Sequence, residues 1–466
     1  MIFNSINFIF LFLPLALILY YLTPMRVRNV TMLLLSIGFF AWGSPQYMLL
    51  MGISVAVNFG FTLVMDRIQI PTYRKTAFIG LITFNLLILF VFKYLGFFFT
   101  NFNALTGSAF YAERLMQPLG ISFFTFQVLS YIIDVYNRRY PATGNPLNLA
   151  LYFMMFPQLA SGPIMRWDEI QPQLGPRLIR PALMAEGAER FIVGLFKKVF
   201  LANTLGALWA IAKGTDPQQL SSLFAWVGLL AFTLYIYFDF SGYMDMAIGV
   251  ANLFGFQLQE NFDFPYVAKS VGEFWRRWHM TLGRWFRDYI YIPLGGSRAG
   301  KLNYLWALFT VWFTTGLWHG ASWNFIFWGL YFGLFILLEK FLLKRLLEHI
   351  HPVISNLYTM LVVMVGWVLF DTTSLSHAGS YLRALAGGGA GLYDQAGIYY
   401  LYTYLPILLL GTVLVRPGIF NRLQRMKYRM NNSRRVFLLL GLAGLFVVSV
   451  AYILNQSFSP SLYIGF

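Results

Sequence analysis

The sequence contains no cysteine. That excludes structural disulfides, a thiol nucleophile, an S-linked lipid and zinc–thiolate sites. Charge is also scarce: Asp, Glu, Lys and Arg make up 11% of the chain, against about 25% in a soluble domain. A surface that poor in charge does not stay solvated in water. HExxH motifs and Gly-rich phosphate loops are missing, so no metal site is expected. No run of alternating ten-residue strands is present, which argues against a membrane barrel. Neither an internal repeat nor a large soluble domain is visible.

What is present is apolar. Hydrophobic residues account for 58% of the chain and the mean hydropathy is +0.62. Open sheet edges cannot be satisfied in hydrocarbon, so the expected class is all-α: a polytopic integral membrane protein. Apolar runs of about 20 residues are the unit to count. They fall near 6–23, 29–43, 46–65, 76–98, 115–135, 188–212, 221–250, 302–318, 321–343, 352–370, 397–415 and 436–455. The expectation is about 11–13 transmembrane helices, with re-entrant and interfacial helices added. The N-terminal run MIFNSINFIFLFLPLALILYYL has no basic leader and no small-residue cleavage site, so it reads as a retained first span.

The net charge of +16 is distributed in a pattern. Basic residues follow every second span: Arg26 and Arg28, then Arg67, Arg74 and Lys75, then Arg138 and Arg139. They recur over 269–301, at Lys340, Lys344 and Arg345, and over Arg416–Arg435. The alternate loops, such as WGSPQ and AGGGAGLYDQAG, are nearly uncharged. By the positive-inside rule the basic side is cytoplasmic and the N-terminus is outside. Such charge serves orientation and anionic headgroups rather than nucleic acid, which is not expected as a partner.

Two stretches do not read as simple spans. LNLALYFMMFPQLASGPIMRW (147–167) is apolar but interrupted by Pro157, Gly162 and Pro163. Irregular backbone at depth survives only when buried in protein or lining a cavity, so a re-entrant element is expected. The second stretch is SVGEFWRRWHMTLGRWFRDYIYIPLGG (270–296). Projected as one helix, Glu273–Tyr289 gathers Trp275, Trp278, His279, Leu282, Trp285, Phe286 and Tyr289 into one arc of roughly 120°. Glu273, Arg276, Arg277, Arg284, Arg287 and Asp288 fall opposite, with Glu273–Arg277 and Arg284–Asp288 spaced for pairing. An interfacial helix explains all of this except His279, which sits on the apolar face.

A second histidine, His319, lies in the uncharged TTGLWHGASWNFIFW. A buried histidine bonded to a carbonyl is the bland reading. An intramembrane ionisable group is nonetheless a functional candidate, and imidazole suits proton transfer near neutral pH. His349 and His351, in EHIHP, and His377, in a loop, read as surface residues. Asp239 and Asp245 share one apolar span and are candidates for orienting a histidine or for a structural role. Asp134 is expected to face the interface.

These segments carry a family resemblance. NFDFPYVAKSVGEFWRRWHMTLGRWFRDYIYIPLGG, TTGLWHGASW, YFDFSGYMDMAIG, GISFFTFQVLSYIIDVY and FPQLASGPIMRW resemble the membrane-bound O-acyltransferases, in particular the bacterial branch that contains alginate O-acetylation subunits. The resemblance covers about 115–343. It implies a single membrane domain over 1–466, with N-terminal spans (1–114), a catalytic core (115–343) and C-terminal spans (344–466) around a central tunnel. It implies catalysis at His319, with His279 as the second important polar position. It also implies an acetyl group drawn from acetyl-coenzyme A as substrate, with no permanently bound cofactor, and moved across the bacterial inner membrane to an exopolysaccharide, alginate foremost. Periplasmic or membrane-anchored acetyltransferase partners and membrane lipids are the implied associates. Arg276, Arg277 and Arg284 suit the phosphates of coenzyme A. The alternatives are acetylation of cellulose, another cell-surface polymer or a lipid, and, from a different class, a secondary transporter.

Overall fold

The computed structural model describes residues 2–111, 115–159, 161–177, 180–298, 300–372, 374–419, 421–422 and 432–455. Much of the basic segment 416–435 and the C-terminal SFSPSLYIGF lie outside them. Among the described residues no strand forms, and one isolated antiparallel bridge joins Phe262 to Trp278. Every apolar run read from the sequence coincides with a helix. In order these are α1 (Phe8–Leu22), α2 (Arg28–Gly43), α3 (Met48–Arg67), α4 (Pro71–Thr106) and α5 (Ile121–Tyr136), then α6 (Pro146–Met154), which opens a broken segment, and α7 (Pro181–Gly214) and α8 (Ser222–Leu253). Two short helices, α9 (Val271–Arg277) and α10 (Met280–Phe286), precede α11 (Lys301–His319), α12 (Trp323–His349) and α13 (Pro352–Asp371). Then come α14 (Leu375–Leu385), α15 (Gln395–Leu414) and α16 (Asn432–Asn455). Among the described residues, eight helices are long and apolar enough to cross a membrane. The chain is an all-α, multi-pass integral membrane protein.

The chain divides into two compact units, with the divisions inside α7 and α8. One unit runs to Phe191 and takes in Met246–Gln259; the other comprises Ile192–Asp245 and the chain from Glu260 onward. In the first, α3 and α4 are joined by a reciprocal amide pair, Asn58 to Asn85 at 2.8 and 3.0 Å. Buried amides bond across helices because lipid offers them no partner. The segment 147–167 is broken and buried as expected. Pro146–Met154 and Phe156–Leu159 are helical, and the turn between them is held by the Phe156 N–H donating to Ser36 Oγ at 3.1 Å. A Cβ on Gly162 would meet the Gln158 Cα at 2.5 Å, so the chain closes on itself there. Asp134 corrects the sequence reading. It is 1% exposed, with Arg139 at 3.0 Å and the Tyr140 hydroxyl at 3.2 Å.

In the second unit, α11 and α12 form a close hairpin. A Cβ on Gly316 would lie 2.3 Å from the Phe325 carbonyl oxygen, and one on Gly329 would lie 2.2 Å from that of Trp312. The sequence places Gly316 and Gly320, and Gly329 and Gly333, four apart, the small-residue spacing that lets membrane helices touch backbone to backbone.

Several helices carry π-turns, and three of these hold a buried lysine or glutamate: Lys93 in Phe90–Tyr94, Lys198 in Lys197–Ala202 and Glu339 in Glu339–Leu343. Such insertions commonly mark functional or constrained positions. Asp239 and Asp245 of α8 pair with lysines, Asp239 with Lys198 and Asp245 with Lys197 at 2.6 Å. The sequence reading missed both lysines. Their signal is Phe-Lys-Lys-Val-Phe, two cations inside an apolar run.

Candidate active site

The projection of Glu273–Tyr289 as one continuous helix is not what forms. The helix ends at Arg277 and restarts at Met280, and His279 between them has φ 47° and ψ 52°. The cause is a competing backbone. Asn261–Asp263 folds against the segment, so that the Asp263 N–H donates to the Arg277 carbonyl at 3.0 Å and the Met280 N–H to the Asn261 carbonyl at 3.0 Å. These bonds take the place of helical ones and turn His279 out of the helical row. A left-handed backbone at a non-glycine residue costs about 1–3 kcal/mol, and such strain gathers at functional sites.

The front of α9 is fixed by side chains. Ser270 Oγ accepts from the Glu273 N–H at 3.0 Å, and Glu273 Oε2 accepts from the Lys269 N–H at 2.9 Å, a reciprocal cap. Glu339 of α12 accepts from the Val271 and Gly272 N–H groups at 2.5 and 2.9 Å. A carboxylate at a helix N-terminus meets both orphan donors and the positive end of the helix dipole. Glu339 was not legible as a site residue, because a lone glutamate before Lys340 reads as the end of a span.

His279 is 2% exposed. Its Nδ1 lies 3.2 Å from Asn261 Oδ1, and its ring meets Phe240 edge-on at 4.8 Å and Trp318 at 6.1 Å. It lies outside the long spans, and burial pushes its imidazole down to about 3, so the ring is held neutral. His319 is the last residue of α11 and is 1% exposed. Its ring packs on Trp318 at 4.9 Å, Trp328 at 4.8 Å and Phe370 at 5.7 Å. Trp318 therefore touches both histidines. The two residues singled out from the sequence, 40 positions apart, are brought to one shared indole.

Around them tryptophans form a continuous wall. Trp278 packs on Trp367 at 5.0 Å, Trp367 on Trp328 at 6.3 Å, and Trp328 on Trp275 at 5.6 Å. The indole N–H groups of Trp275, Trp328 and Trp367 are buried and donate to no acceptor among the described residues.

The three arginines stand apart in character. Arg277 is bound to Glu273 at 2.9 Å and Asp263 at 2.7 Å. Arg276 is exposed and Arg284 is half-buried. Arg287 pairs with its neighbour Asp288 at 2.6 Å. His349 and His351 are exposed, as read from the sequence. His377 is in the first turn of α14 rather than in a loop, where its N–H is capped by Ser374. Among the described residues no group of histidine and acidic side chains is arranged to hold a metal.

The chain as a whole resembles known proteins. Residues 72–375 match the sequence profile of MBOAT, the membrane-bound O-acyltransferase family, and the chain belongs to that family. It is thus a membrane-embedded O-acyltransferase. Within the family it is similar to the protein named "Probable alginate O-acetylase AlgI" of Pseudomonas aeruginosa, 38% identical over 84% of this chain and 75% of the relative. It is also similar to a peptidoglycan O-acetyltransferase of Helicobacter pylori, 34% identical over 83% of this chain and 80% of the relative. A teichoic acid D-alanyltransferase of Bacillus subtilis is 27% identical over 50% of this chain and 61% of its own length.

Proposed function

We propose that this protein sits in the bacterial inner membrane and transfers acetyl groups from cytoplasmic acetyl-coenzyme A towards hydroxyl acceptors of an exopolysaccharide, most closely alginate. The observation that carries this reading is the pairing of His279 and His319 across Trp318. His279 hangs on a segment flanked by Arg276 and Arg284, on the basic side of the membrane. His319 ends α11, at the end of the helix that has run away from that side, beside the turn that leads back into α12. A donor and an acceptor arriving from opposite faces would meet there.

In the reaction His319 acts as general base. It takes the proton of the attacking hydroxyl as the oxygen adds to the thioester carbonyl carbon. The carbon–sulfur bond then breaks and the coenzyme A thiolate leaves, taking up a proton. The buried indole donors of Trp275, Trp328 and Trp367 are of the kind that a carbonyl oxygen gaining negative charge accepts from. Arg276, which is exposed, is the more available cation for the coenzyme phosphates, since Arg277 is bound by two carboxylates. Delivery to the polymer by a periplasmic or membrane-anchored partner accords with the way the alternate loops are short and nearly uncharged.

The identity with the Helicobacter peptidoglycan enzyme supports a second acceptor, the cell-wall glycan. Inverted membrane vesicles supplied with acetyl-labelled acetyl-coenzyme A test the donor. Label analysis of exported polysaccharide, peptidoglycan and lipid in the parent and a deletion strain tests the acceptor. Label in exported polysaccharide that disappears on deletion supports alginate-type transfer. Label lost only from peptidoglycan or lipid moves the assignment there, and no transfer from acetyl-coenzyme A overturns the donor.

A further inference from the structure

Asn261 opens the segment that interrupts the helix at His279, and no role is yet attached to it. Its side chain is 1% exposed. Its Oδ1 accepts from the Thr281 backbone N–H at 3.0 Å and from the Thr281 hydroxyl at 3.0 Å, and lies 3.2 Å from His279 Nδ1. The backbone N–H of Thr281 can only donate, so the amide oxygen, and not the amide nitrogen, must occupy this position. The opposite orientation would set N–H against N–H. Facing an oxygen with no proton to give, His279 Nδ1 must itself carry the proton. In a neutral imidazole the other nitrogen, Nε2, then holds the lone pair.

We infer that Asn261 is a positioning residue for acyl transfer: it fixes His279 as the Nδ1–H tautomer and so presents Nε2 as the basic, accepting nitrogen. The inference deepens the reading of His279 as a site residue and rests on it. The Asn261 backbone supports the same arrangement, because its carbonyl accepts the Met280 N–H at 3.0 Å. The two contacts bracket the left-handed residue. One holds the ring and the other holds the chain that follows it. An orienting acceptor behind a histidine is a strong lever in catalysis: the wrong tautomer costs about four orders of magnitude in the serine-protease triad.

The test is a ¹⁵N–¹H correlation spectrum of full-length protein labelled with ¹⁵N-histidine in nanodiscs, with the His279 signals assigned by their loss in His279→Gln. The wild-type protein is expected to show protonated Nδ1 and unprotonated Nε2 at His279. Asn261→Ala is expected to shift that residue to the Nε2–H form or a mixture, and to lower kcat by about a hundredfold with little change in KM. Asn261→Asp, which keeps an acceptor oxygen of the same shape, is expected to retain the proton on Nδ1. An Nε2–H signal in the wild-type protein overturns the proposal, as does an unchanged tautomer in Asn261→Ala. The wild-type spectrum and the isosteric Asn261→Asp decide the matter even where Asn261→Ala does not fold. Transfer by His279→Ala is read separately. If it is undiminished, the role of His279 fails, while the spectrum still reports whether Asn261 sets its tautomer.

Discussion

At the scale of single residues, the account turns on two imidazoles kept in apolar surroundings. Burial holds His279 neutral, and its value of about 3 lies below the unfolded value of about 6.5. The sign follows from linkage. Above about pH 6.5 neither state binds the proton, so the contribution to stability is constant. As pH falls through 6.5 the unfolded state takes up a proton that the folded state refuses, and stability is lost, by up to about 1.4 kcal/mol per pH unit from this group. Thermal unfolding in detergent between pH 7 and pH 5 is expected to show this downward slope, and His279→Gln is expected to flatten it. A variant with the same slope as wild type would place the titration elsewhere. Glu339 makes a second prediction. Glu339→Ala leaves the first amides of α9 without their acceptor, at a cost of about 1–3 kcal/mol, and lowers transfer by loosening the segment that ends in His279. Glu339→Gln, which keeps one acceptor oxygen, recovers part of the activity.

At the scale of elements, the hairpin of α11 and α12 sets where His319 stands. The hairpin depends on Gly316 and Gly329, where an added Cβ would fall within 2.3 Å of a carbonyl oxygen of the facing helix. Gly329→Ala is therefore expected to force the helices apart, to cost about 1–3 kcal/mol or more, and to lower acyl transfer through displacement of His319. Gly38→Ala, where nothing lies within 4 Å, is the control and is expected to leave both unchanged. The helices themselves were legible because the bilayer imposes their length and composition, and each apolar run became one. The broken segment 147–167 was legible for a related reason: Pro157 and Pro163 lie in an apolar run too irregular to span. What sequence periodicity could not give was the break at His279. Its residues follow a helical pattern on both sides, and the bonds that interrupt it come from Asn261–Asp263, more than ten positions earlier. The same limit hid the lysine partners of Asp239 and Asp245, which come from a neighbouring helix. His319 was legible because an imidazole in a run without charge has few bland explanations.

At the scale of the whole molecule, the charge pattern assigns every loop to a side. The chain has no cysteine, so single cysteines introduced one at a time report sidedness without background. Ala390→Cys, in the Gly-rich loop, is expected to react with an impermeant maleimide in intact spheroplasts. Ser297→Cys, among the basic residues before α11, is expected to react only after permeabilisation. Labelling of both from one face would break the alternation on which the orientation rests. The central claim is that transfer runs through His319, and the most direct test is the O-acetyl content of exported polysaccharide in a strain whose only copy is wild type or His319→Ala. Equal amounts of protein in the membrane must be confirmed first. The account predicts that polymer is still exported while its O-acetyl content falls by at least about a hundredfold. Unchanged acetylation in the variant would contradict it and leave His319 as a structural residue.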